Sequence, residues 1–272
     1  MFSRLLPLLY LVTGSARPAP PPKRPKPMLP VAVAAAELPV LQWMPERLRC
    51  QRRGRRRFCD GPRRVPQPWG EAAQRARALG LGTHSSYNLL LTRGAPEEWL
   101  AAIEEEPEET LLWPVPEGTL GRGFGYVRRR ALANRLHKGV DIPAAFRSEV
   151  RATNAGLVVY ADNGIEGYGN LIVLLHKDRT STLYAHLSEA HVFAGQQVRR
   201  GQAIGLVGRT GLTYAPHLHF EWRRGARPRD PVRRFVDRPS PERARELERA
   251  AQRRRREAQR RALARRRARA RG

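Results

Sequence analysis

The sequence GQQVRRGQAIGLVGRTGLTYAPHLHFEW, residues 195–222, decides the fold class of this 272-residue chain. Short apolar runs, Ala203–Val207 and Leu218–Trp222, alternate in it with glycine turns, and two Gly-Gln pairs lie six residues apart, as in a hairpin-rich sheet. Runs of this length bounded by glycine are typical of β-strands joined by tight turns. We therefore predict an all-β domain over residues 111–235, whose other strands include Glu149–Ala152, Gly156–Ala161, Asn170–His176 and Thr182–His186.

The formal charge is strongly positive and is distributed in blocks. Lysine and arginine together number 51 against 25 acidic residues, which gives a net charge of +26. Residues 45–65 and 241–272 are rich in arginine, and the second block carries a net charge of +10, whereas residues 97–109 hold seven glutamates. Such blocks are often solvated. The positive blocks suggest an anionic partner, either nucleic acid or a polyanion of the cell envelope.

Composition also excludes several classes of protein. Two cysteines are too few for a disulfide-stabilised miniprotein, and no apolar run reaches the 18 or so residues that span a membrane. The arginine blocks are not interleaved with aromatic residues and accompany no nucleic-acid-binding module. Nucleic acid is therefore the disfavoured partner.

The N-terminus has the order of a secretory signal peptide. A basic start at Arg4 is followed by the apolar run Leu5–Val12 and by small residues at 14–16. We predict a signal peptide over residues 1–16, export to the periplasm or cell envelope, and an extended proline-rich linker over residues 17–36. In an exported chain, the lone pair Cys50 and Cys59 predicts a disulfide.

Two further regions flank the β-domain. Residues 37–110 are predicted to be a small, mainly helical accessory region, with helices at Glu71–Leu79 and from Pro96 to Ile103. Residues 236–272 are predicted to be an Arg-rich tail, helical or disordered, with Ser240 as a helix N-cap. Its apolar stripe is too thin to dock firmly. We expect it to hold the protein near anionic envelope polymers and to take no part in the chemistry.

Histidines of the β-domain carry the candidate chemistry. His137 and Asp141 lie four residues apart, His217 and His219 lie two apart, and His186 belongs to another strand. Residues i and i+2 of a strand point to the same face, so His217 and His219 would face one cavity. Imidazole and carboxylate are zinc ligands, and three protein ligands leave a fourth position open for water. Each motif alone also fits solvated strand residues, but together they indicate a catalytic zinc site.

Residues 111–231 resemble the lysostaphin-type zinc endopeptidases that cut peptidoglycan cross-links and bridges. The resemblance implies an antiparallel β fold of the duplicated-hybrid-motif type with an open groove. The motifs that carry it are WPVPEGTLGRGFGY (113–126), HKGVDI (137–142), GLVVYADNGIEGYGNLIVLLH (156–176), TLYAHLS (182–188), GQQVRRGQAIGLVGRTG (195–211) and PHLHFEWR (216–223).

The resemblance also implies the roles of five residues. The Zn²⁺ ligands would be His137, Asp141 and His219. His186 and His217 would be the two non-ligand histidines that hydrogen-bond the attacking water or the developing oxyanion, one of them as general base. The implied activity is zinc-dependent hydrolysis of peptide cross-links in peptidoglycan.

Two other functions fit parts of the sequence. A catalytically inactive member of the family would bind the cell wall or activate a murein amidase, although all five site positions are filled here. A biotinyl- or lipoyl-type carrier, with Lys177 at a hairpin tip, would give no reason for those five residues. The enzyme is therefore the preferred interpretation.

Local departures from the family pattern affect two turns. Residues 145–148 (AFRS) replace a Pro-x-Gly-Thr/Ser turn, and residues 213–215 (TYA) replace small residues, a change expected to reshape a rim of the groove. Of the remaining histidines, we predict a structural role for His176 and surface positions for His84 and His191.

Overall fold

The computed structural model describes residues 50–53, 56–59, 63–126 and 136–269. The predicted signal peptide at residues 1–16 and the linker at residues 17–36 lie outside the described residues. The described helices are α1 (Gly70–Ala78), α2 (His84–Thr92), α3 (Glu97–Ala101) and α4 (Pro241–Arg269). The strands are β1 (Cys50–Arg53), β2 (Arg56–Cys59), β3 (Leu111–Leu112), β4 (Gly125–Tyr126), β5 (Leu136–His137), β6 (Val140–Pro143), β7 (Glu149–Arg151), β8 (Gly156–Asp162), β9 (Asn170–Leu175), β10 (Thr180–Ala190), β11 (Gln197–Val198), β12 (Ala203–Val207), β13 (His217–Arg224), β14 (Arg227–Arg229) and β15 (Phe235–Val236).

Strand β10 lies at the centre of the main sheet, because three other strands pair with it. One edge of β10 pairs with β9. The other edge pairs first with β13, as far as Ala185, and then with β12, from Leu187 onward. Beyond β9 the sheet continues to β8 and β11, and beyond β13 to β6 and β14. All these pairings are antiparallel, which confirms the predicted fold class. Each of the six strands predicted for the domain is present.

The sheet is apolar on both faces. Along β9 every residue is buried, and successive side chains enter different clusters: Ile172 and Leu174 pack with Phe220, whereas Val173 and Leu175 pack with Leu183. Adjacent side chains of a strand point to opposite faces. Cover on both faces therefore explains why residues 170–175 read as a continuous apolar run and not as an alternating one.

The accessory region supplies the cover for one face. Ala76 of α1, Leu90 of α2 and Trp99 of α3 belong to the same buried cluster as the sheet residues Val173 and Leu183. The contact at α1 is close, because a Cβ atom on Gly195 would lie 2.1 Å from the carbonyl oxygen of Ala72. Residues 63–103 are thus packed into the same core as the β-domain.

Helix α2 was not among the predicted helices, whereas α1 and α3 were. Thr83 is its N-cap: the Thr83 hydroxyl accepts a hydrogen bond from the Ser86 N–H at 3.0 Å, and the Ser86 hydroxyl accepts one from the Thr83 N–H at 3.1 Å. This reciprocal pair is a capping box with serine in the position usually held by Glu or Gln. Tyr87, Leu90 and Leu91 then form the buried face at helical spacing, which was the available signal.

The acidic stretch 97–109 is paired with basic residues of the chain around it. Nitrogen-to-oxygen distances are 3.0 Å from Lys177 to Glu106 and 3.1 Å from Arg200 to Glu108, and Arg179 forms a further ion pair with Glu97. These glutamate side chains are largely exposed, so each pair contributes at most about 1 kcal/mol. Through these pairs, the acidic stretch lies against basic residues in the turns of the β-domain.

The two strands of the Gly-Gln stretch pair with other strands and not with each other. Strand β11 pairs with β8, whereas β12 pairs with β10 and β7. The stretch therefore connects two separate parts of the sheet. At the altered turn 145–148, Arg147 has φ 67°, the left-handed conformation that glycine adopts without strain and that an arginine adopts at a cost of about 1–2 kcal/mol.

Strands β1 and β2 form a two-stranded ladder in which Cys50 lies opposite Cys59. Directly opposite residues of antiparallel strands have Cα atoms about 4.5–5.5 Å apart, which lies within the range that disulfides span. The register is compatible with the predicted Cys50–Cys59 disulfide, which stays a prediction.

The Arg-rich tail is helical over Pro241–Arg269. The Ser240 hydroxyl accepts a hydrogen bond from the Arg243 N–H at 3.2 Å, as predicted for its N-cap. Ala244 is buried, whereas Arg243 and Arg245 are exposed. Among the described helices, none has the length and apolarity to cross a membrane.

The predicted structural role of His176 is confirmed by its complete burial, and His84 and His191 are exposed as predicted. The His176 Nδ1–H donates to the carbonyl oxygen of Ala155 at 2.6 Å, and its Nε2 lies 2.9 Å from the Thr182 hydroxyl. Burial lowers the pKa of His176. The folded protein therefore holds this imidazole neutral under conditions in which the unfolded chain protonates it.

We expect His176 to make the fold acid-sensitive. As pH falls through the unfolded-state pKa of about 6.5, the unfolded chain gains a proton that the folded chain excludes, so the free energy of unfolding decreases, by at most about 1.4 kcal/mol per pH unit. Urea unfolding of metal-free protein at pH 7.5 and pH 5.5 measures the effect. His176→Gln should lose less stability between these pH values than the wild type, whereas the exposed-site control His84→Gln should behave like the wild type. Equal pH dependence in His176→Gln and wild type would contradict the argument.

Candidate metal centre

Three side chains converge at one point of the β-domain. His137 Nε2, Asp141 Oδ1 and His219 Nδ1 lie within 4.8 Å of one another and form a group that could hold a metal ion. Their separations are 3.1 Å from His137 to Asp141, 3.2 Å from His137 to His219 and 2.8 Å from His219 to Asp141. Two ligands bound to zinc at tetrahedral geometry lie about 3.3 Å apart. The separations and the donor types therefore fit zinc, with a fourth position left for another ligand.

Strand register places these side chains. Asp141 of β6 lies directly opposite His219 of β13 in an antiparallel pair, and His137 of β5 enters the site just before β6 begins. Gly139 makes the approach possible, because a Cβ atom there would lie 2.0 Å from the carbonyl oxygen of Phe220. In the His-x-x-x-Asp motif, His137 thus ends β5, Gly139 packs against β13, and Asp141 lies near the start of β6.

Hydrogen bonds fix which nitrogen of each ligand histidine faces the site. The His137 Nδ1–H donates to the carbonyl oxygen of Gly123 at 2.6 Å, which leaves Nε2 for a metal. The Nε2–H of His219 donates to Glu221 Oε1 at 3.1 Å, which leaves Nδ1. Partners of this kind orient metal-binding histidines. Sequence reasoning missed Glu221, although its position two residues after His219 on one strand placed it on the same face.

His186 lies where β10 changes partner from β13 to β12. Its φ of 62° is left-handed, and the pairing with β9 shifts register between Tyr184 and Leu187. A left-handed non-glycine residue costs about 1–3 kcal/mol and often marks a functional site. The bulge directs the imidazole into the site, where the Nδ1–H donates to the carbonyl oxygen of Thr210 at 2.8 Å. Nε2 is therefore the nitrogen that His186 presents to the groove.

His217 has the same orientation. Its Nδ1–H donates to the carbonyl oxygen of Ala215 at 2.9 Å, with the Thr213 hydroxyl 3.1 Å from the same nitrogen. Its Nε2 lies 3.6 Å from Asp141 Oδ1. The ring centroids of His186 and His217 are 4.8 Å apart, so the two non-ligand histidines flank the metal cluster together.

Burial and neighbouring charges separate the pKa values of these groups. Burial alone would raise the pKa of Asp141, but hydrogen bonds with His137 and His219 hold it far below its usual range. Burial opposes charge on His219, but hydrogen bonds to Asp141 and Glu221 raise its pKa to about 9 in the metal-free protein. Burial, together with the charges of His219 and His217, lowers the pKa of His186 to about 3. His186 is therefore a neutral imidazole at neutral pH.

An open groove of about 450 Å³ contains all five predicted site residues. Arg122 and Glu166 supply charged groups to its walls, and Tyr214 is exposed at its rim. The altered segment 213–215 lines the groove, and it supplies two of the hydrogen-bonding groups around His217.

The site is therefore a histidine–aspartate–histidine cluster that could hold a metal ion, set in a groove of an antiparallel β-domain and flanked by two further histidines. Residues 135–231, which contain the cluster and both flanking histidines, match the model of peptidase family M23.

Several named relatives match a little under half of the chain. The chain is 40% identical over 120 residues to the lipoprotein NlpD/LppB homolog of Pseudomonas aeruginosa, covering 44% of this chain and 38% of the relative. It is 42% identical over 120 residues to the DD-carboxypeptidase/endopeptidase Mpg of Neisseria meningitidis, covering 44% and 27%. It is 37% identical over 132 residues to the murein hydrolase activator NlpD of Escherichia coli, covering 48% and 33%. The chain thus spans about a quarter to two fifths of the length of these relatives.

We expect the two histidines of the His-x-His pair to differ in metal binding. His219→Ala removes a direct ligand and should weaken zinc binding by more than the roughly 10–100-fold typical for loss of an outer hydrogen-bond partner. His217→Ala should retain most of the affinity, because its Nδ1 faces the Ala215 carbonyl and its Nε2 lies beside the cluster. Chelator-competition titration of both variants measures this, with His84→Ala as an exposed control. Equal affinity losses for His217→Ala and His219→Ala would contradict the ligand assignment.

Proposed function

We propose that this protein is a zinc-dependent endopeptidase that hydrolyses peptide cross-links of peptidoglycan. The observation that carries the proposal is the convergence of His137, Asp141, His219, His186 and His217 in one open groove, with the ligand atoms at zinc-compatible separations. The relative Mpg, named as a DD-carboxypeptidase/endopeptidase, supports the same reaction class. A groove open to solvent suits an extended peptide that belongs to a large polymer.

In the proposed reaction, His137, Asp141 and His219 hold Zn²⁺. The ion would polarise the scissile carbonyl and acidify water at neutral pH. Nε2 of His186 and of His217 face the groove from the same side of the cluster, each oriented by a backbone carbonyl on Nδ1. One of these imidazoles accepts the proton of the attacking water at Nε2. The other would donate a hydrogen bond from Nε2 to the oxyanion as an imidazolium, which carries a proton on both ring nitrogens. Nε2 of the neutral His186 is a hydrogen-bond acceptor at neutral pH, and a pKa of about 3 makes it a weak base.

The alternative is an inactive family member that activates a murein amidase. The relative NlpD of Escherichia coli is named a murein hydrolase activator, so it favours this function. Loss of catalysis is simplest to reach by loss of a ligand or of a flanking histidine. In this chain all five side chains are present and within reach of one another, which favours the enzyme.

Purified peptidoglycan distinguishes the two functions. We expect the zinc-loaded protein alone to release uncross-linked muropeptides, detected by mass analysis of the digest. His217→Ala should lose most of the rate while keeping zinc, because proton-transfer catalysis typically contributes about 10²–10⁴-fold. Release of products only when an amidase is added, with equal effects of His217→Ala and wild type, would establish the activator function and overturn the proposal.

The proposal extends to location and to the Arg-rich helix α4. We infer export to the periplasm or cell envelope, where peptidoglycan lies, with α4 holding the enzyme near anionic envelope polymers. Residues 241–272 carry a net charge of +10, and Ala244 is a buried anchor at the start of the helix. Guanidinium groups offer paired donors that suit phosphate and carboxylate. Exposed charges are screened beyond about 8 Å at physiological salt.

Truncation after Arg249 tests the tail, because it keeps the Ser240 cap and Ala244. We expect full-length protein to sediment with envelope fragments at low salt and to be released as salt rises, whereas the truncated protein should remain soluble at both. Cleavage of a small soluble cross-linked peptide should be equal in the two forms. Equal sedimentation of the two forms at low salt would show that α4 is not the tether.

A further inference from the structure

A buried polar cluster lies directly behind the candidate metal ligand His219. Glu221 is 1% exposed and Arg223 is 5% exposed. Glu221 Oε1 accepts hydrogen bonds from the Nε2–H of His219 at 3.1 Å and from the Tyr168 hydroxyl at 2.9 Å. Glu221 Oε2 accepts from Arg223 Nε at 2.7 Å and lies 2.6 Å from Arg223 Nη2.

Burying the cluster costs desolvation free energy, which argues for a role other than stabilising the fold. Burying a carboxylate and a guanidinium removes both from water, and such pairs are often replaceable by apolar residues without loss of stability. Here both oxygens of the Glu221 carboxylate accept hydrogen bonds. The donors are the imidazole of His219, the phenol of Tyr168 and the guanidinium group of Arg223. A fully satisfied buried network holds its members in one arrangement.

Three members of the cluster lie on one strand, and the fourth comes from a loop. His219, Glu221 and Arg223 alternate along β13 and therefore share the face that looks into the site. Tyr168 comes from the connection between β8 and β9. Without Tyr168, the orientation of the Glu221 carboxylate would depend on residues of its own strand alone.

We propose that Tyr168 is a positioning residue for the metal centre. Its hydroxyl, together with Arg223, holds the Glu221 carboxylate against the Nε2–H of His219, so that Nδ1 of His219 stays directed at the metal. The inference deepens the proposed function and rests on metal binding at this site. It does not depend on which peptide bond is cut.

A backbone contact connects the same residue to the flanking histidines. The carbonyl oxygen of Tyr168 accepts the N–H of His186 at 2.9 Å, at the left-handed position in β10. Movement of this segment is restricted, because a Cβ atom on Gly169 would lie 2.3 Å from the Thr210 hydroxyl oxygen. Tyr168 therefore contacts His186 through its backbone, and its side chain is linked to His219 through Glu221.

The test compares two buried tyrosines that differ in their partners. Tyr168→Phe removes the hydroxyl that bonds Glu221, whereas Tyr160→Phe removes a phenol that accepts the N–H of Gly164 and has no hydrogen bond to the cluster among the described residues. Zinc dissociation constants come from chelator competition, and the visible spectrum of the Co²⁺-loaded protein reports ligand geometry. Thermal unfolding of the metal-free variants verifies that each is folded.

We expect Tyr168→Phe to weaken zinc binding about 10-fold, within the range found for outer hydrogen-bond partners, and to change the Co²⁺ spectrum. The isosteric variant Glu221→Gln should show a loss of at least the same size, and Tyr160→Phe should bind zinc like the wild type. Wild-type affinity in Tyr168→Phe, or an equal loss in Tyr160→Phe, would overturn the positioning role and leave the proposed function intact. Absence of zinc binding by the wild-type protein would overturn both.

Discussion

The pairing of β6 with β13 is the constraint on which the site depends. It sets Asp141 opposite His219, while Leu218 and Phe220 of the same strand enter the core behind the groove. A shift of one residue would turn the histidines into the core and the apolar side chains into the groove, because side chains alternate along a strand. The burial of Leu218 and Phe220 therefore stabilises the register that the metal cluster needs.

Strand β10 couples this register to the two flanking histidines. Its change of partner at His186 requires close backbone contacts around the bulge: a Cβ atom on Gly208 would lie 2.1 Å from the Ser188 nitrogen. The left-handed backbone at His186 is thus held by structure on both sides. Strain of this kind persists where the surroundings over-determine it, and here it aims an imidazole whose lowered pKa keeps it neutral.

The accessory helices share a buried apolar cluster with the main sheet. Helices α1–α3 cover the face of the sheet on which Val173 and Leu183 lie, and the neighbouring acidic stretch forms ion pairs with the turn and edge residues Lys177, Arg179 and Arg200. The loop that carries Tyr168 is close to this cover, since Tyr168 packs against the same apolar cluster. Support for the metal centre thus draws on residues outside the matched segment 135–231.

The amino-acid sequence by itself determined the class of fold and the members of the candidate site. Apolar runs between glycines predicted the strands. The His-x-x-x-Asp and His-x-His spacings selected His137, Asp141, His217 and His219, and the family resemblance gave His186 its place in the site. Such short spacings and motifs are local properties that can be read from a sequence. It also predicted α1, α3 and the cap of α4. Helix α2 was not predicted, because serine stands in its capping box where Glu or Gln is usual. The partners of β11 and β12 could not be read from the sequence, because strand pairing depends on non-local packing. Only the tertiary structure decided which histidine nitrogen faces the metal position, why His186 adopts a left-handed conformation, and that Tyr168, Glu221 and Arg223 stand behind His219. Most of these features depend on contacts between separate segments, such as Tyr168 with Glu221, 53 residues apart, and His186 with Thr210, 24 residues apart.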